Sequence, residues 1–160
     1  MWKEIVGHKQ VAEKRPREDD WIPIEKLARA LLTSEDPECP LENALSLIPE
    51  CNEKGWVASE PGPQTITLNF LRPMKIRRIF LRFTEPEVER TQEFSLRYMT
   101  QAGIIQEIVR QQWNFSPSGS MQEIEDYTVD LDGVTRLELS IDPDLGHERA
   151  KATLDAWRVA

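Results

Sequence analysis

The side chains best suited to chemistry in this chain are few and widely spaced. Trp113-Asn114-Phe115 sets two aromatic rings around an amide, and Arg90 and Gln92 follow the acid-rich stretch TEPEVER that contains Glu87. His147 lies in DPDLGHERAK, and Glu60 lies in SEPGP. A flat ring can stack on the apolar face of a sugar while amides, carboxylates and guanidinium groups satisfy its hydroxyls. That is recognition chemistry, not catalysis. A Ser-His-Asp or Cys-His set needs an imidazole beside a nucleophile. His147 is the only suitable imidazole, and no nucleophile pattern accompanies it. The chain is therefore expected not to be an enzyme, and to need no cofactor.

Metal chemistry is poorly provided for. Cys39 and Cys51 flank PLENALSLIPE without a CxxC, and His8 and His147 are the only histidines. That inventory does not make a structural zinc site. Two cysteines in a chain of this length are not a disulfide framework either, so both are expected as thiols. Asp142-Pro-Asp144-x-Gly146 opens like a calcium loop, but its twelfth position is Thr153, where an EF-hand carries a bidentate Glu. It is read as a turn. Glu123, Glu125 and Asp126 are read as solvated acids at the start of a strand, not as a catalytic pair.

The elements that must carry these side chains are mostly strands. QTITLNF alternates Ile66, Leu68 and Phe70 against Thr65, Thr67 and Asn69. In MKIRRIFLRF, Ile76 is out of phase with Ile79, Leu81 and Phe83, which points to a bulge at Arg77–Arg78. EFSLRYM follows. EDYTVDLDGVTRLELSI then carries Asp132–Gly133, the strongest hairpin signal in the chain. LDAWRV closes the series. PLENALSLI suggests a short helical turn near residues 41–48, and ALLTS fits either a helix end or a short strand. GIIQEIVRQQW spaces Ile104, Ile105, Ile108 and Val109 as a helix would. The whole reads as an all-β, antiparallel β-sandwich spanning residues 23–160, preceded by an N-terminal arm over residues 1–22.

If consecutive strands are antiparallel neighbours, their connections alternate between two ends of the sandwich. The short ones, LRP, TQAG and LDG, share one end. The long ones, SEPGP, TEPEVERTQ, WNFSPSGSMQ and DPDLGHERAK, gather at the other, joined by TSEDPECP. Long connections sharing a rim are where recognition is expected. Most of the net charge of −8 falls on these loops. An acidic rim suits a polyhydroxylated or cationic ligand, and it argues against nucleic acid and anionic lipid. No apolar run approaches the roughly 20 residues that span a bilayer, and MWKEIVGHKQVAEKRP lacks a secretory pattern, so a cytoplasmic location is expected.

In order along the chain, TSEDPECPLENAL, GWVASEPGPQTITLNFLRPMKIRRIFLRF, RTQEFSLRYM, QQWNFSPSG, LELSIDPD and LDAWRVA resemble the discoidin family. That family includes the coagulation-factor C-type domains and many bacterial carbohydrate-binding modules, which share the galactose-binding-like jelly roll. The resemblance implies that IIQEIVRQQW is a strand, that Trp56 packs in the core, and that the rim loops bind ligand, often a sugar. Many members hold a structural calcium through Asp-Gly-x-x-x-Thr-x-Trp. Here IPECNEKGW lacks that Asp and Thr, so no calcium is expected. Lipid-binding members carry apolar spikes on these loops, where this chain has SEDPEC, SEPGP and TEPEVERT.

The expected function is a non-catalytic module that binds carbohydrate through Glu60, Glu87, Arg90, Gln92, Trp113, Asn114 and His147. The alternative is an intracellular protein-protein interaction domain on the same fold.

Overall fold

The structure, a computed structural model, describes residues 20–48 and 54–160. Among the described residues two helical turns, α1 (Ile24–Leu27) and α2 (Leu41–Leu45), accompany eight strands. These are β1 (Ala28–Leu32), β2 (Trp56–Pro61), β3 (Gln64–Thr84), β4 (Arg90–Thr100), β5 (Ile105–Phe115), β6 (Gln122–Asp142), β7 (Lys151–Leu154) and β8 (Ala156–Val159). All the pairings are antiparallel, and the architecture is a β-sandwich of jelly-roll type. Residues 1–19, which make up most of the expected arm, lie outside the described residues, as does Cys51. Trp21 and Ile22 are packed on the domain: Trp21 lies 6.4 Å from Phe80, and the Ile22 N–H donates to the Val159 carbonyl at 2.7 Å.

Two strands of 21 residues each, β3 and β6, organise the sandwich. They pair with each other from Gln64↔Ile141 to Thr84↔Gln122, and β3 changes its outer partner midway while β6 gains one only in its second half. The first half of β3 pairs with β1 and the second half with β8, while the second half of β6 pairs with β4 and β4 with β5. Each long strand thus serves both layers, and β2 with β7 forms a separate ribbon.

This arrangement corrects the reading of Asp132–Gly133. No hairpin forms there, and β6 runs through it. Met74 opposes Val134 and Ile76 opposes Leu131, so β6 carries an extra residue at this point, with Gly133 at φ 64°. That is a bulge of the kind glycine makes possible. LRP is likewise no hairpin turn. It lies within β3, between the register positions Asn69↔Arg136 and Met74↔Val134. The phase slip of Ile76 does mark a register shift between Ile76 and Arg78, with the extra residue on the β6 side.

The helical spacing of Ile104, Ile105, Ile108 and Val109 has a similar cause. The segment is the edge strand β5, as the resemblance implied. Leu96 opposes Val109 and Arg97 opposes Glu107, so Ile108 is an inserted residue. An insertion after two exposed isoleucines brings both Ile108 and Val109 half inside, which mimics a helix period. The IEKLARALL segment divides, with one helical turn at α1 and then the exposed edge strand β1.

The core joins both layers through Trp56, Trp157, Phe83, Phe94 and Phe115, each with no solvent exposure. Trp56 is a core residue. It enters through Gly55, where an added Cβ would lie 2.0 Å from the Leu154 carbonyl oxygen. Only glycine permits that approach.

Candidate functional site

The long connections do gather at one end of the sandwich. Gly62 N–H donates to the Ala150 carbonyl at 3.0 Å, Leu145 N–H to the Thr91 carbonyl at 2.7 Å, and Glu85 N–H to the Met121 carbonyl at 2.7 Å. At the opposite end the Gln101 N–H reaches the Gly133 carbonyl, so the 101–104 turn meets the corner of β6 there.

Beneath the rim lies a buried polar base. Arg90 opens β4 and is 4% exposed. Its Nε donates to Glu85 Oε1 at 2.8 Å, and its Nη1 donates to the Pro143 carbonyl at 2.5 Å and to Gln92 Oε1 at 3.3 Å. The guanidinium lies 4.6 Å from the centroid of Phe115, in cation–π range. Gln92 Nε2 passes the chain of bonds on to Glu123 Oε1 at 3.1 Å. Nη2 of Arg90 and Oε2 of Glu123 are buried without a hydrogen bond among the described residues. Burial, then the neighbouring Glu125, push the Glu123 carboxyl up to about 8. Glu123 is therefore not a solvated acid, as its sequence context suggested. The same causes, burial first and Glu125 second, raise the Tyr127 hydroxyl, which donates to Glu125.

Above this base opens a concavity of about 420 Å³ between the 143–150 loop and the ends of β4 and β5. Its polar walls are Glu89, Thr91, Asn114, Asp144, His147 and Arg149, with Leu145 as an apolar member and Arg90 and Phe115 at the floor. Thr91 Oγ1 donates to Asn114 Oδ1 at 2.8 Å, which leaves the Asn114 amide to donate outward. The 143–150 loop is a turn, as read from its sequence. Asp142 Oδ1 accepts the Asp144 N–H at 3.3 Å, and the Asp144 carbonyl accepts the His147 N–H at 2.8 Å. Among the described residues no cluster of His, Cys, Asp and Glu is arranged to hold a metal ion.

Of the seven expected ligand residues, Arg90, Asn114 and His147 line this concavity. Gln92 is fully buried behind it. Trp113 and Phe115 do not head a loop, since they end β5. Trp113 sits opposite Gln92 in the ladder, half-buried against the core. Glu87 and Glu60 are exposed, but neither lines the concavity.

Sequence reasoning did not assign Glu85, Glu89, Thr91, Asp144, Leu145 or Arg149 to the site. Glu85 organises the 85–89 turn, because its Oε1 takes Arg90 and its Oε2 caps the Glu87 N–H at 3.2 Å. The available signal was a carboxylate at the first residue of the turn and an arginine at the start of the next strand.

The fold is a jelly roll of the discoidin-like, galactose-binding-like type. No family model matches the chain, and no curated protein matches it significantly. Among solved structures it resembles the family 32 carbohydrate-binding module of C. perfringens NanJ in complex with galactose. That match has 16% identity and a TM-score of 0.62, covering 87% of this chain and 96% of the other. The family 32 module of AlyQ in complex with 4,5-unsaturated mannuronic acid matches at 13% identity and a TM-score of 0.57, covering 84% and 95%. A chain of the complex of reduced XRCC1 with the DNA polymerase β catalytic domain matches at 14% identity and a TM-score of 0.53, covering 84% and 96%. At such identities the likeness is one of fold, so function has to be argued from the site.

Proposed function

We propose that the chain is a non-catalytic carbohydrate-binding module that takes its ligand in the rim concavity. The supporting observation is the concavity itself, where outward-facing donors and acceptors stand on a buried polar base that fixes the ends of β4 and β5 and the 143–150 loop. A sugar needs donors and acceptors of both kinds at short range, with some apolar surface for its C–H face. Asn114 and Arg149 supply donors, Asp144 and Glu89 supply acceptors, and Leu145 with the His147 ring supplies the apolar contact. Arg90 acts from below as a positioning residue, and Trp113 is scaffold. The solved neighbours that are carbohydrate-binding modules agree with this reading and lend no support to an intracellular protein-interaction domain.

A glycan array probed with the labelled full chain, followed by calorimetry on the hits, tests the proposal. Asn114→Ala and His147→Ala should each weaken binding by ten-fold or more with the melting curve unchanged. Absence of any glycan hit, or hits indifferent to both substitutions, would overturn it.

A further inference from the structure

A second groove, separate from the rim concavity, lies beside β1. It measures about 260 Å³ and is walled by Ala28, Ala30 and Leu32 of β1 on one side and by α1 and α2 on the other. Leu41, Leu45 and Leu68 contribute apolar surface, and Glu25, Glu35 and Glu42 supply carboxylates. Among the described residues no basic side chain lines it. Glu35 is committed to the α2 start, where its Oε1 accepts the Leu41 N–H at 2.6 Å, while Glu25 and Glu42 are exposed.

The backbone of β1 decides what this groove can hold. β1 is an edge strand, paired only with β3 among the described residues. The Thr33 N–H donates to the Thr65 carbonyl, and antiparallel alternation then points the backbone groups of Leu31 and Arg29 toward β3. Those of Ala28, Ala30 and Leu32 point the other way, into the side where the groove lies. Ala28 confirms the parity, because its N–H turns back to the Ile24 carbonyl. The N–H and C=O groups of Ala30 and Leu32 have no backbone partner among the described residues. Natural edges are usually blunted by charge, proline or a covering element. On this side the three residues are two alanines and a leucine.

We propose that this edge is a docking site for an extended peptide that adds as a strand to β1, with an apolar side chain over Leu41, Leu45 and Leu68 and basic side chains two residues to either side. Strand addition derives affinity from main-chain bonds and specificity from pockets that take alternate side chains. Residues i and i±2 of the added strand share a face, which brings flanking Lys or Arg residues to the carboxylates. The basic chemistry follows from the charge of the groove. This site is independent of the glycan reading, and failure of one leaves the other standing.

The test uses the full chain and a fluorescein-labelled peptide, Ac-Lys-Thr-Val-Thr-Lys-NH2, followed by anisotropy. The proline of Ala30→Pro removes an N–H that the pairing with β3 does not use, so the sheet should survive while the docking edge is lost. Binding should fall ten-fold or more in Ala30→Pro, in the double variant Glu25→Lys/Glu42→Lys, and in the wild type when the two Lys of the peptide become Glu. An unchanged melting curve excludes misfolding as the cause. No binding by the wild type, or binding insensitive to Ala30→Pro, would overturn the proposal. So would a concentration-dependent dimer that Ala30→Pro abolishes, which would make a second copy the occupant. Cross-links from Lys3, Lys9 or Lys14 to Glu25 or Glu42 in the unliganded chain would also overturn it, in favour of the chain's own N-terminal segment.

Discussion

The two ends of this sandwich are built on different principles. At the end holding the Gly133 corner, the two 21-residue strands bend without leaving the sheet, and bulges absorb the change of direction. Order there comes from the backbone ladder. At the rim the strands stop, and long connections are tied down by side chains: Glu85 to Arg90, Arg90 to the Pro143 carbonyl, and Gln92 to Glu123. A ladder tolerates substitution of its exposed side chains, whereas a rim held by buried polar groups does not. At the rim the base is buried and hydrogen-bonded, while residues above it such as Glu89 and His147 remain exposed.

The contrast can be broken in order of expected effect. Trp56→Ala should cost about 3–5 kcal/mol, because it empties a fully buried site shared by both layers. Denaturant unfolding measures it, and the loss should be independent of ligand. Arg90→Ala should cost about 3 kcal/mol, because it strands Glu85 and the Pro143 carbonyl without their donor. Unlike Trp56→Ala, it should raise hydrogen exchange chiefly in the 85–89 and 143–150 loops. A melt that changes little would show that the rim does not depend on its buried base.

Stability should also depend on pH through Glu123. Glu123 holds its proton up to about 8 when folded, and its unfolded value is the ordinary 4.5. Between those values the folded state binds more protons than the unfolded one, so stability falls as pH rises. The expected slope is roughly 1 kcal/mol per pH unit, flat below 4.5 and above 8. Glu123→Gln should remove this component and make the protein relatively more stable at pH 8. A wild type whose stability rises over that window would contradict the burial of Glu123. The smallest effect belongs to the far end. Lys75→Ala breaks exposed contacts with Asp130 and Asp132 at 3.2 and 2.9 Å, and should leave the melting midpoint unchanged.

Much of the fold is legible in the chain. Ile66, Leu68 and Phe70, then Ile79, Leu81 and Phe83, declare their buried faces by alternation, and all six are buried. The long loops are recognisable, and their gathering at one rim follows from antiparallel order even though two of the assumed short turns are corners within strands. The site is less legible. Asn114 and His147 were visible as polar residues near the ends of strands. Gln92 was misassigned because a polar residue on a strand's inward phase reads the same whether it faces a ligand or completes a buried network. Trp113 is half-buried against the core, and an aromatic at a strand end reads the same whether it stacks on a sugar or covers the core.

Strand periodicity, loop lengths, the acidic surface and the poverty of catalytic groups are thus legible in the chain, because all are local or additive properties. Tertiary structure decided the rest. Asp132–Gly133 is a hairpin turn or a strand corner depending on which partner lies across from it, and that partner is β3, about 60 residues away. Whether Glu123 is a solvated acid or a buried proton holder depends on what packs over it. Whether β1 offers an open edge depends on which strands do not pair with it. These are long-range pairings and desolvation, and neither leaves a signature within one segment of chain.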